Sequence, residues 1–309
     1  MKSHVSSDGQ YLQLSLKRPE YYKYSLGQYA FINIPEVSRW QWHPFSIASC
    51  SRSDKIKFII KNAGDWTGKT VELFKQHNKK GALLNNFMDT NVHMSIDEEA
   101  LHLDTNTSFP RVNLSYPISS PVQQSTYNYN VVYVAAGVGT TTFLSFMELQ
   151  YLKAKQKAND GDTKICKLDN KEVIDFIFIS RETESIGWIA KYINAALTLP
   201  QMTKRIKFHI YITLKDESNN LASFLFWRAL SFYNKKLSKN NKMYSKININ
   251  TGRPDFEALF TKILNKNQYP QHYVYACGAE RLTSMLHKLC IDKMKQDNMK
   301  IQFNYEIFS

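Results

Sequence analysis

Long apolar runs are missing from this 309-residue chain. No stretch reaches the roughly 18 apolar residues that a membrane-crossing helix requires. The nearest candidate, LASFLFWRALSFY at 221–233, is too short and carries Arg228, which fits a buried helix instead. The opening MKSHVSSDGQ also lacks an apolar core, so no secretory leader is expected. Cysteine is scarce. Cys50, Cys166, Cys277 and Cys290 include no CxxC pair and no nearby histidine pair at zinc spacing, which argues against a disulfide framework or structural metal and for reduced thiols in a cytosolic compartment. Acid is in short supply: 27 Asp and Glu face 40 Lys and Arg, a net charge of +13 that favours polyanionic partners of some kind. The lysines are spread through loops such as KQHNKK (75–80) and NKKLSKNNK (234–242), with no arginine-rich helix. A solvated surface explains most of them, and proximity to an acidic membrane face is the second reading.

What is present is a globular composition. At 43% hydrophobic and 13% aromatic, the chain can fill cores and has rings to spare for planar ligands. Its length exceeds one typical core and fits two domains with a cleft between them. In the first, QYLQLSLK (10–17), QYAFINI (28–34), PFSIAS (44–49) and KIKFIIK (55–61) alternate apolar and polar residues between turn signals, the pattern of short antiparallel strands in a small barrel. A helix is expected at DWTGKTVELFKQ (65–76), then a polar insertion over 85–110, expected to be mobile. His93, His102, Asp97, Glu98 and Glu99 lie there, but their spacing fits no standard metal site, so none is assigned.

From about residue 128 the pattern changes. VVYVAA (131–136), VIDFIFI (173–179), IKFHIYI (206–212), KININ (246–250) and YVYAC (273–277) alternate with amphipathic stretches, the signature of a parallel sheet with helices on both faces. Ile186, Ile189, Ile193 and Leu197 mark one helix face; Leu282, Met285, Leu286 and Leu289 mark another.

Two stretches carry chemistry. QWHPFSIAS (41–49) sets a titratable ring (His43), a donor-less fixed residue (Pro44), a flat apolar face (Phe45) and a hydroxyl (Ser46) along one strand, which suits a flat, phosphate-bearing ligand. AAGVGTTTF (135–143) ends the first strand of the second domain with Gly137 and Gly139 at the turn into a helix, where amide donors and a partial positive charge meet a pyrophosphate. Alone, that turn is weak evidence, because tight strand-to-helix turns use glycine for steric reasons too. Its position adds weight: further strand ends carry Ser180 and Arg181, Arg253 in TGRPD, and Cys277 with Gly278 in YACGAE. Two guanidinium forks beside a dinucleotide turn favour a 2′-phosphate, hence NADPH over NADH.

The order HPFSIAS, IIKNAGDWT (59–67), AAGVGTTTF, FISRETESIGW (178–188), TGRPDFEALF (251–260), YACGAERL (275–282) and terminal FNYEIFS, with GQYAFINIP near the start, resembles the cytosolic dehydrogenase region of the NADPH oxidase family and the related ferric reductases. The resemblance covers nearly the whole chain. It implies a two-domain, ferredoxin-reductase-like fold: an antiparallel β-barrel FAD domain at 1–125, then a doubly wound α/β NADPH domain with a parallel sheet at 126–309. It assigns FAD to His43, Pro44, Phe45, Ser46, Lys61, Trp66 and Thr67. NADPH falls to Gly137, Gly139 and Thr141 at the pyrophosphate, Arg181 and Arg253 at the 2′-phosphate with Ser180 beside them, and Cys277 and Gly278 at the nicotinamide. Phe308 would stack on the flavin and move aside as a gate. Ser46, Cys277 and Phe308 are thus the expected catalytic contacts.

The implied reaction is hydride transfer from NADPH to FAD, followed by single-electron release. In the family the electrons reach paired haems in an N-terminal transmembrane domain and reduce oxygen to superoxide, so the chain is expected to be part of a longer membrane enzyme, docked on the cytoplasmic face with its basic surface toward acidic lipid or that domain. A ferric-chelate reductase, or a regulatory relative with weak turnover, would share these motifs; a nucleic-acid-binding module would explain the charge but none of them. Three departures stand out: Thr142 and Ala279 replace family prolines, and YPIS (116–119) stands where a GPYG-like turn is expected. Lost prolines soften a turn through the unfolded state rather than removing a ligand contact. Ser309 extends one residue past the usual terminal phenylalanine.

Overall fold

A computed structural model describes residues 1–6, 8–89, 109–123, 130–160, 174–181, 184–199, 202, 206–213, 247–265, 271–297 and 299–307. The expected helix at 221–233 and the histidines and acids of 93–102 lie outside these residues. The chain forms two compact units that interleave in sequence: Met1–Tyr22, Tyr29–Ser46 and Asp54–Ile118 make the first, and Lys23–Gln28, Ile47–Ser53 and Ser119–Ser309 the second.

In the first unit, the alternating segments become antiparallel strands. β1 (Lys2–Val5), β2 (Tyr11–Lys17) and β5 (Lys55–Lys61) form one three-stranded sheet; β3 (Tyr29–Asn33), β4 (His43–Ser46) and β6 (Asn113–Leu114) form a second, in the order β4-β3-β6. The antiparallel domain is therefore built as two small sheets. Period-two alternation sends one side of each strand inward: Leu12, Leu14 and Leu16 of β2 face Ile60, Phe58 and Ile56 of β5 across the ladder, and all six are buried. Helix α1 (Asp65–Asp89) packs beside β1 and β2 and buries Trp66, Val71 and Phe74. It extends well past Gln76, so residues 85–89, expected in the insertion, are helical. YPIS forms no GPYG-like turn here: Ile118 instead bridges to Tyr29 in an antiparallel contact.

The second unit is a six-stranded parallel sheet. Its elements are β7 (Val131–Ala136), α2 (Thr141–Asp160), β8 (Ile174–Ser180), α3 (Gly187–Thr198), β9 (Ile206–Ile212), β10 (Ile247–Thr251), α4 (Phe256–Leu264), β11 (Gln271–Gly278), α5 (Glu280–Asp297) and β12 (Lys300–Ile307). The strand order is β10-β9-β8-β7-β11-β12. The chain thus steps outward from β7 to β10, then returns to place β11 on the other side of β7. That reversal is the topological switch point, and in open α/β sheets ligands lie beyond the carboxyl ends of the strands there.

Both faces of the sheet are covered. Leu259, Phe260 and Ile263 of α4 and Leu286 and Cys290 of α5 pack on Val132, Val134, Ile177, Val274 and Ala276. On the other face Phe143 of α2 meets Tyr133 at 4.7 Å between ring centroids, and Phe176 meets Phe208 edge-on at 5.7 Å. Each such fully buried aromatic contributes roughly 2–3 kcal/mol of transfer free energy. Met285, expected on the core face of α5, is 44% exposed. The other expected residues, Leu282, Leu286 and Leu289, do pack on the core, joined by Cys290.

Short segments from the first third of the chain belong to this unit. Gly27 donates its amide to Ser145 Oγ (3.2 Å) and Cys50 donates its amide to Glu148 Oε2 (2.7 Å), both acceptors lying on α2. Lys191 closes an ion pair on the other Glu148 oxygen at 3.3 Å.

Candidate functional site

In the first unit the structure gathers His43, Phe45 and Trp66. His43 and Phe45 are two apart on β4 and so share a face, and Trp66 enters from the first turn of α1. The His43 and Trp66 rings stack at 4.3 Å with 30° between planes, and Phe45 lies 6.1 Å from the same indole at 26°. His43 Nε2 and Trp66 Nε1 are buried and make no hydrogen bond among the described residues. Burial also holds the His43 ring below the usual imidazole range, so it is neutral near pH 7. Alternation puts Pro44 and Ser46 on the opposite side, with Pro44 exposed and Ser46 buried. Lys61 ends β5, exposed, four residues before α1 begins.

Thr67 is committed locally. Its hydroxyl accepts from the amides of Ala63 (3.0 Å) and Gly64 (2.9 Å) and donates to the Gly64 carbonyl (2.9 Å), tying down the turn that leads into α1.

In the second unit the two strand ends at the switch point meet. Gly137 to Thr140 form one 3-10 turn between β7 and α2. Gly137 has φ +54° and open space where a side chain would start. Gly139 is different: a Cβ there would fall 2.5 Å from the Cys277 carbonyl oxygen and 3.0 Å from its sulfur. Its glycine identity is thus fixed by packing against β11. Gly278 is close but less tight, since its Cβ would meet that of Ala136 at 3.0 Å. The Thr141 hydroxyl donates to the Val138 carbonyl (2.8 Å). Thr140 is the residue sequence reasoning passed over: its hydroxyl is buried and makes no hydrogen bond among the described residues. Three threonines in a row gave no signal to separate them.

Cys277 is fully buried, and that burial pushes its thiol well above the ordinary cysteine range. It is protonated at neutral pH, so it can line a surface but is no nucleophile. Thr142 Oγ1 lies 3.5 Å from the Cys277 sulfur and donates to Glu306 Oε2 at 3.2 Å. β12 brings that carboxylate in, because its register sets Glu306 beside Cys277. The terminal FNYEIF is mostly an edge strand; Phe308 and Ser309 lie outside the described residues.

The arginines stand one strand apart at the same end of the sheet. Arg181 follows β8 and Arg253 follows β10, with β9 between them, a separation of about 10 Å at ordinary strand spacing. The turns are stitched by backbone bonds from Thr213 to Ser180 (2.7 Å) and from Gly252 to Ile212 (2.9 Å). Both arginines are exposed, and neither is held in an ion pair with another described residue. The Ser180 hydroxyl pairs with that of Ser185 at 2.6 Å. Asp255, two residues past Arg253, caps α4 by accepting from the Ala258 amide.

A family model for an FAD-binding domain matches residues 2–122, and one for a ferric reductase NAD binding domain matches residues 128–291. Respiratory burst oxidase homolog protein A of Solanum tuberosum is 26% identical over 332 residues, covering 97% of this chain and 33% of that protein. NADPH oxidase 5 of Homo sapiens is 25% identical over 295 residues, covering 90% of this chain and 38% of that protein. The chain therefore spans about a third of the length of these relatives. Among solved structures, an H286L mutant of ferredoxin-NADP+ reductase from Plasmodium falciparum with 2'P-AMP superposes with TM-score 0.54 at 12% identity, covering 98% of this chain and 94% of that one. A ferredoxin NADP+ reductase from Neisseria gonorrhoeae with bound FAD and NADP gives 0.52, also at 12% identity, covering 96% and 92%. These likenesses show the ferredoxin-reductase-like fold, and with more than half of the chain matched by one model, the chain belongs to the family of the ferric reductase NAD binding domain, here preceded by an FAD-binding domain.

Proposed function

We propose that the chain is the dehydrogenase portion of a transmembrane NADPH oxidase, with FAD held by residues 1–125 and NADPH by residues 126–309. Bound FAD and NADPH supply the redox chemistry, a hydride passed from nicotinamide to flavin and then single electrons sent toward membrane haems that reduce oxygen to superoxide. The residues present fit both groups. Two orphaned ring nitrogens on a stacked aromatic cluster suit a flavin with its pyrophosphate, and Gly137 leaves open space at the turn into α2.

His43, Pro44, Phe45, Ser46, Lys61, Trp66 and Thr67 are the proposed FAD residues. Trp66 backs the rings of β4, Lys61 supplies positive charge, and Thr67 acts through the turn it holds. Gly137 and Thr141, joined by Thr140, receive the NADPH pyrophosphate at the start of α2, and Gly139 acts by letting β7 and β11 close on each other. Arg181 and Arg253, beside Ser180, take the 2′-phosphate. Cys277 and Gly278 line the nicotinamide pocket, where an uncharged thiol orients a ring without attacking it. Phe308 is the proposed gate.

The single observation that carries this reading is Gly139 seated against Cys277 beneath an open Gly137, at the one place in the parallel sheet where topology puts a ligand. The names of the relatives favour oxygen as the final acceptor. The description of the matched family favours the second reading, a ferric-chelate reductase. Net charge of +13, with Trp40, Tyr21 and Tyr116 at 89%, 82% and 85% exposure on the first unit, supports placing that unit against an acidic membrane on its cytoplasmic face.

The test is a fluorescence titration of the purified chain with FAD, followed by anaerobic addition of NADPH. Saturable quenching and then loss of the flavin absorbance band is expected. Bound FAD that NADPH leaves oxidised would overturn the dehydrogenase reading and favour a relative with lost turnover.

A further inference from the structure

Proline is well suited to the first turn of a helix, where its missing amide leaves no bond unmade. Thr142 occupies that turn of α2, where the family resemblance leads one to expect proline. It has two contacts that proline cannot make. Its hydroxyl donates to Glu306 Oε2 at 3.2 Å and lies 3.5 Å from Cys277 Sγ, joining α2, β12 and β11 in one cluster in which Glu306 is half-buried. Thr142 and Cys277 are fully buried.

Resting on the dehydrogenase reading above, we infer that Thr142 is a positioning residue that locks the Glu306 carboxyl and the Cys277 thiol into one hydrogen-bonded unit at the proposed nicotinamide pocket. The pair it joins is far apart in sequence, and Gly139 already presses the Cys277 backbone against the turn ahead of α2. The Thr142 hydroxyl holds Oε2 of that carboxyl, while Oε1 makes no hydrogen bond among the described residues. Facing that carboxyl are the Thr142 hydroxyl from α2, the Cys277 thiol from β11, and the Ser120 hydroxyl and Val122 amide from the segment ahead of β7. Burial raises the Glu306 carboxyl above the usual carboxylate range, and the nearby Ser120, Thr142 and Val122 pull it back, with Thr142 as the hydroxyl that donates to it, since that of Ser120 donates to the Gly27 carbonyl at 2.6 Å. Removing the Thr142 donor disfavours the charged form.

The experiment begins on the chain without cofactors. A carbon-detected NMR titration reads the protonation midpoint of Glu306, assigned by its loss in Glu306→Gln. Thr142→Val keeps the shape and removes the donor, so the midpoint is expected to move upward; Thr142→Ser is expected to hold it in place. Equal midpoints in the parent and the valine variant would sink the inference, and Thr142→Ala gives the same reading should valine prevent folding. With FAD and NADPH added, the pH profile of flavin reduction is expected to shift in the same direction in Thr142→Val, with the rate down about tenfold, as for one charge-assisted hydrogen bond. A moved midpoint with an unmoved profile would end the role in the reaction. No reduction in the parent chain would instead defeat the dehydrogenase reading, and the cofactor-free titration would still decide the coupling.

Discussion

His43 lies against Trp66 with ring centroids 4.3 Å apart, its buried Nε2 making no hydrogen bond among the described residues. The stack joins a strand residue to a helix residue, so the proposed FAD surface depends on both. Trp66→Ala is expected to cost about 3 kcal/mol of stability and to weaken FAD binding at least about tenfold, whereas Trp66→Phe keeps the platform. Urea denaturation and FAD fluorescence quenching read the two effects separately.

The same ring has a pH signature. Burial lowers the folded-state value of His43, so the unfolded chain takes up the proton first and stability is lost as pH falls below the ordinary imidazole value of 6.5. His43→Phe is expected to flatten that acid limb in cofactor-free protein. An unchanged slope between the variant and the parent would contradict the assignment.

Gly137 and Gly139 look alike in sequence and should behave differently. Gly139→Ala drives a methyl into the Cys277 carbonyl, backbone that cannot swing away, and is expected to lower stability by about 2–3 kcal/mol or more. Gly137→Ala meets no atom and bears only the cost of φ +54°, roughly 1–2 kcal/mol, while intruding on the space proposed for NADPH. Thermal unfolding with and without NADP+ separates the two: Gly137→Ala should lose most of the ligand-induced shift.

A fourth prediction lies away from the strand ends at the switch point. His209 Nε2 and Asp175 Oδ1 are 2.7 Å apart with side chains 2% and 8% exposed, and Asn248 reaches the other ring nitrogen at 3.5 Å. Removing one member of a buried pair leaves the other uncompensated, so Asp175→Ala should cost about 3 kcal/mol or more. Asp175→Leu combined with His209→Phe should cost less than the sum of the single changes. A double-mutant cycle in urea measures the difference.

Much of this was readable in the chain because parallel strands buried on both faces appear as continuous apolar runs: IKFHIYI is β9 to the residue, and VVYVAA is β7. β12 was hidden because KIQFNYEI is an edge strand with mostly exposed or half-exposed residues, and its aromatics drew attention as a terminal motif. In α5 the expected face holds at Leu282, Leu286 and Leu289, which pack on the core, while Met285 points outward at its margin and Cys290 fills the core in addition. Glycines and the buried cysteine at the switch point were legible, since a strand-to-helix turn is local in sequence. The Thr142–Glu306 bond was not, because 164 residues separate its partners and only the β11–β12 register brings them together.

Arg181 and Arg253 stand exposed with no ion-pair partner among the described residues. Their joint replacement by alanine is expected to raise the KM for NADPH by about tenfold or more while leaving that for NADH within about twofold. Equal losses for both nucleotides would remove the 2′-phosphate assignment.

The central claim is that this chain alone passes a hydride from NADPH to the FAD it binds. Anaerobic stopped-flow mixing of the FAD-loaded chain with NADPH, following the flavin absorbance band, tests it most directly. The account predicts a single-turnover bleach that slows when the transferred hydrogen of NADPH is replaced by deuterium; a band that persists with NADPH bound would contradict it.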